Sequence, residues 1–235
     1  TVFTVGLYFL MNRFWLVELN EDTRKTAENV ATRIGVIHAV VLGMMFTNVR
    51  VEFNEMILAV ESEASALVRL YNAIERHGNG ELESTGEQLR EYVRFVANEQ
   101  WSALRKLKVP PTDRELSGRA SLDNVWKELE KLEPTPDVLR LKALLDDIED
   151  YRIQRLFDVK GKTLPVFWHI AIIGYLFTLL TLFLPPPTLR RCILVSLYSG
   201  VVAIVLLGIF ILSHPYSPAA GISPDVFEML IQESD

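Results

Sequence analysis

The sequence predicts an all-α, polytopic membrane protein, with about four transmembrane helices and a helical extramembrane domain inserted between spans two and three. Two observations carry this. Leu164 to Leu184 and Cys192 to Leu212 are each 21 residues without a formal charge, the length that crosses a hydrocarbon core of about 30 Å. Core helices of a soluble domain explain two such runs poorly when only Pro185-Pro186-Pro187-Thr188-Leu189-Arg190-Arg191 separates them. In addition, hydrophobic residues make up 49% of the 235 and charged residues 23%, so a near-average composition hides two kinds of segment.

Residues 1–19 hold a first, partial span. Val2 to Val17 is apolar except for Asn12 and Arg13, and it lacks the basic lead and small-residue cleavage site of a signal peptide. It begins at a threonine and reads as what remains of a membrane helix. Residues 20–33 read as a short loop and 34–50 as the second span. Ile34 to Val49 is 16 uncharged residues, short for a crossing until Arg33 and Arg50 snorkel to the interfaces.

Residues 51–163 read as the extramembrane domain. From Glu52 the pattern turns amphipathic at helical spacing, with Phe53, Met56, Ile57, Val60, Ala64, Leu67, Val68 and Tyr71 on one face. The second span therefore continues out of the membrane as a helix, until His77-Gly78-Asn79-Gly80 breaks it. Further helices are expected over Ser84–Leu107, Leu122–Leu132 and Asp137 to about Asp158, punctuated by Pro110-Pro111 and Glu133-Pro134-Thr135-Pro136. No strand-like alternation is present. The third span covers 164–184, a short basic loop 185–191, the fourth span 192–212 and a C-terminal tail 213–235. Arg24, Lys25, Arg33, Arg190 and Arg191 mark one side of the bilayer, which the positive-inside tendency makes cytoplasmic. The helical domain and tail are then extracytoplasmic, against the weight of Arg50, Lys160 and Lys162 on that side.

Several classes of function are excluded or disfavoured. A net charge of -6 does not suit nucleic acid, which selects a basic surface. Cys192 is the lone cysteine, so there is no internal disulfide or zinc cluster. No glycine-rich phosphate loop, His-Glu-x-x-His, Gly-x-Ser-x-Gly or paired nucleophile and base is present, so no enzyme is expected. His38, His77, His169 and His214 lack zinc-ligand spacing, and no cofactor is implied.

The informative feature is the helix that begins as span two. At 100° per residue, His38, Val41, Met45, Asn48, Glu52, Glu55, Ala59 and Glu63 share about a third of its circumference. In one chain this polar stripe faces neighbouring helices or water. In a homo-oligomer around an axis it makes rings, and rings of carboxylates concentrate cations. The leading expectation is therefore a cation-conducting channel, its partners being the lipid bilayer, inorganic ions and further copies of the chain. His38, Met45, Asn48, Glu52 and Glu55 are the expected pore lining. Glu61 and Glu63 are a candidate cation or gating site, with Ca²⁺ the ion considered although no EF-hand loop is present. The alternatives are a membrane-anchored sensor or binding module and, last, a lipid-acting enzyme with a surface cleft of Glu or His.

Several patches in order carry a resemblance. They are Gly35-Val36-Ile37-His38-Ala39-Val40-Val41-Leu42-Gly43, Glu61 to Leu67 leading to Leu70-Tyr71, and Leu89-Arg90-Glu91-Tyr92 leading to Glu99-Gln100-Trp101. The last is His214-Pro215-Tyr216-Ser217 followed by Ile222 to Phe227. Together they resemble the bestrophin-like membrane protein family, and they span about Ile34 to Ile231. The resemblance implies four spans around a helical insert and a bacterial inner-membrane location, and the family's label points to an anion channel as a further alternative. His214 stands where the family usually has aspartate, and His38 where it often has an aromatic residue.

Overall fold

A computed structural model describes residues 2–14, 20–77, 80, 82–106, 118–157 and 165–234. Among them the regular structure is all helical: α1 (Val2–Phe14), α2 (Glu21–His77), α3 (Glu83–Phe95), a π-helical turn (Val96–Gln100), α4 (Trp101–Arg105), α5 (Arg119–Glu130), α6 (Pro136–Phe157), α7 (Pro165–Leu182), α8 (Leu189–Leu212) and α9 (Asp225–Ser234). Trp15 to Val17, Gly78-Asn79, Leu107, Pro110-Pro111, Asp158, Lys160, Lys162 and Leu164 lie outside the described residues.

The chain divides into two compact units, Thr1–Arg50 with Thr163–Leu212, and Val51–Lys162 with Ser213–Asp235. The division falls inside α2, whose 57 residues reach about 85 Å at 1.5 Å per residue. The segment read as a loop over 20–33 is instead the start of this helix from Glu21 on. Glu21 and Asp22 place negative charge in its first turn, favourable against the helix dipole. Thr26 and Thr32 bond back to the carbonyls four residues earlier at 2.9 Å. No proline or glycine interrupts 20–34, so nothing stops the helix from starting early.

In the first unit, α1, the first part of α2, α7 and α8 bury apolar side chains against one another. Leu42, Met45 and Val49 pack with Ala171, Val202 and Ile209. Tyr8 stacks on Phe183 with ring centroids 4.8 Å apart and donates to the Pro185 carbonyl at 2.7 Å, so α1 is tied to the turn that follows α7. By length and composition α2 and α8 suffice to cross a bilayer, and α7 is a shorter apolar helix.

The second unit has a continuous core drawn from the rest of α2 and from α3 to α6 and α9, including Leu67, Leu70, Leu89, Leu122, Leu145 and Phe227. The stretch expected as one helix over 84–107 contains the π turn. There Val96, Ala97, Gln100 and the next residue, Trp101, all face inward. Trp101 meets Tyr216 edge-on at 5.3 Å and Phe227 at 6.0 Å, so the tail is built into this core.

Candidate functional site

Each residue of the expected stripe has a definite place on α2. His38 (4% exposed) and Met45 (1%) are buried against the chain's own helices. His38 Nε2 donates to the Ala171 carbonyl at 2.9 Å, and its Nδ1 lies 3.2 Å from the Tyr198 hydroxyl. With the first bond fixing hydrogen on Nε2, Nδ1 of a neutral ring accepts from tyrosine. Both side chains are turned to the chain's own helices. His38 finds its hydrogen bonds, and Met45 its apolar contacts, inside the bundle. Glycine is required opposite the imidazole, because a Cβ at Gly174 would lie 2.6 Å from His38 Cδ2. Gly174→Ala is expected to destabilise the first unit by about 1–3 kcal/mol, read as a lowered Tm of the purified protein. Gly6→Ala, whose Cβ meets nothing within 4 Å, is the control and should not lower Tm, alanine being the better helix former.

Glu63, expected as a candidate cation or gating residue, lies in the core of the second unit. It is fully buried and forms an ion pair with Arg155 of α6, Nε to Oε2 at 2.7 Å and Nη2 to Oε1 at 3.0 Å. Tyr92 donates to Oε1 at 2.6 Å, and Arg155 Nη1 donates to Gln100 Oε1. The Tyr216 hydroxyl donates to the Arg155 carbonyl at 3.2 Å, and the Phe227 ring lies 5.7 Å from Cζ. Burial opposes the charge on Arg155, but Glu63 outweighs it and holds the guanidinium above its ordinary pKa. Burial first, then the adjacent carboxylate, pushes the Tyr92 hydroxyl well up, so it stays a donor. Both oxygens of Glu63 thus have partners inside the unit. Glu61, by contrast, is exposed, and no cluster of three metal-ligating side chains occurs among the described residues.

Asn48 and Glu55 are exposed and Glu52 is half-buried. They flank a face opposite the buried one, formed by Val36 (60% exposed), Val40 (57%), Met44 (64%), Val51 and Leu58, with Thr47 and Asn54 among them. At 100° per residue these positions lie within about 40° of Val40. The outward face of α8, by comparison, is apolar from Ile193 through Leu194, Leu197, Val201 and Ile204 to Leu207.

A family profile for a bestrophin-like domain matches residues 1–227. The chain belongs to the bestrophin-like family. Its fold is similar to the crystal structure of a bacterial bestrophin homolog from Klebsiella pneumoniae carrying a mutation, with a TM-score of 0.71 over 99% of this chain and 96% of that one, at 16% identity. No curated protein matches by sequence. The bestrophin-like resemblance drawn from short ordered patches and the all-helical membrane class are both correct. Sequence reasoning missed Arg155 as the partner of Glu63. A signal was present, since Leu141, Leu145, Ile148, Arg152 and Arg155 keep the three-four spacing of a core face.

Proposed function

We propose that this bestrophin-like protein is a homo-oligomeric ion channel whose conduction path is lined by the outward face of α2. The observation that carries the reading is the composition of that face. It is not covered by the chain's own helices and runs from apolar Val36, Val40 and Met44 to Thr47, Asn48, Asn54, Glu55 and Glu61. A helix face turned to lipid gains nothing from amides and carboxylates, whereas copies arranged about an axis turn them into rings. The valine and methionine positions then form the dry constriction, and Glu55 and Glu61 form acidic rings that attract cations. His38 and Met45 act behind this wall, fixing α2 against α7 and α8. Family membership supports the channel-like reading.

The test is ion flux from the purified full chain in liposomes under K⁺, Na⁺, Ca²⁺ and Cl⁻ gradients, wild type against a Glu55→Gln, Glu61→Gln variant. Cation flux whose preference over chloride falls severalfold in the variant is expected. Folded protein that passes no ion overturns the channel and favours the membrane-anchored binding module. Chloride flux that the variant leaves unchanged makes it an anion channel.

A further inference from the structure

We propose that the cleft between α2, α3 and α9 binds a single-chain amphiphile with a carboxylate head, a medium-chain fatty acid. The cleft encloses about 420 Å³, inside the range of about 300–1,000 Å³ for small-molecule sites. Its floor is Leu67, Leu89 and Val93, and α9 closes one wall with Leu230 and Ile231. Arg90 and Arg94, one turn apart on α3, stand at its mouth with Glu75 as the acidic lining residue.

Arg90 is held in place for such a ligand. Its Nε donates to Glu87 Oε2 at 3.0 Å, Nη2 lies 3.0 Å from the same oxygen, and Nη1 donates to the Tyr71 hydroxyl at 3.0 Å. Its Cζ also lies 5.7 Å from the centre of the Tyr71 ring. These contacts use three of the five N–H groups of a guanidinium and leave one on each terminal nitrogen. A carboxylate matches such a pair with its two oxygens. Arg94 adds a second positive charge, 3.6 Å from Glu87 Oε1 and 46% exposed.

The two halves of the site exclude simpler ligands. A small hydrophilic anion leaves the leucine and isoleucine walls wet, and an uncharged chain covers the arginines without giving them an acceptor. An alkyl chain ending in a carboxylate satisfies both. The site stands whether or not α2 lines a pore, and its occupant would touch that helix directly through Leu67 and Tyr71.

The experiment is a calorimetric titration of the full chain in lipid nanodiscs with decanoate, with 1-decanol, acetate and empty nanodiscs as controls. Saturable decanoate binding is expected, at least about tenfold tighter than either control ligand, as the loss of a charge-assisted hydrogen bond or of the apolar chain implies. Arg94→Gln should weaken it by about tenfold at unchanged Tm, and Leu230→Ser, which also loosens packing against the core, by at least as much in protein that is still folded. Decanol binding as tight as decanoate, heat equal to that of empty nanodiscs, or both variants binding like wild type would each overturn the proposal. Because the readout is binding, it is independent of the flux assay.

Discussion

Arg155→Met is expected to destabilise the second unit by about 3–5 kcal/mol, because it leaves the Glu63 carboxylate buried without its counter-charge. Glu63 is fully buried and bonded to Arg155 through both oxygens. Glu63→Gln strands the guanidinium in the same way and should be of similar size. The double replacement Glu63→Leu, Arg155→Met removes both charges and should fall short of the sum of the singles, although Gln100 and Tyr92 then lose partners. Thermal unfolding followed by tryptophan fluorescence measures this, Trp101 and Trp126 both lying in the second unit. Singles that unfold at the wild-type temperature would show that water reaches the pair.

The second large effect is at Trp101. It is 1% exposed and touches both Tyr216 and Phe227, so Trp101→Ala opens a cavity where the tail is anchored. A loss of about 3–5 kcal/mol follows, together with faster proteolytic cleavage within 213–224. Its indole Nε1 has no hydrogen-bond partner, so Trp101→Phe removes a buried donor along with packing and should cost distinctly less. A tail that stays protected in Trp101→Ala would mean that Tyr216 and Phe227 are held by their other contacts.

The long apolar helices were legible because length and lack of charge are read directly off the chain, and the amphipathic helices because Leu89, Tyr92 and Val93 or Leu141, Leu145 and Ile148 repeat at helical spacing. The direction in which a stripe faces was not legible. On α2, His38 and Asn48 lie on adjacent parts of the surface, yet His38 has Ala171 and Tyr198 as partners and Asn48 is exposed. That distinction depends on residues more than 130 positions away. Glu63 occupies a core position between Met56, Val60, Leu67 and Leu70 on the same helix. Its burial was foreshadowed by that spacing, and its meaning required Arg155, 92 residues on. The early start of α2 was hidden for a simpler reason. A polar helical segment and a polar loop look alike when only hydrophobicity is read.

The π turn at Val96–Gln100 works as a phase shift in the chain. Upstream, α3 meets the core through Leu89, Tyr92 and Val93, and downstream Trp101 and Leu104 do so. Two consecutive inward residues there have separate duties. Gln100 reaches the Glu63–Arg155 pair, while Trp101 receives the tail. Deleting one residue there would close the widened turn into a regular helix and leave everything beyond it in nearly the same phase, because a π turn holds about one residue more than an α turn. A second insertion has no such outlet and would rotate Trp101 and Leu104 by roughly 100°. This segment should therefore tolerate loss of an outward residue, Asn98 or Glu99, better than any further gain in length.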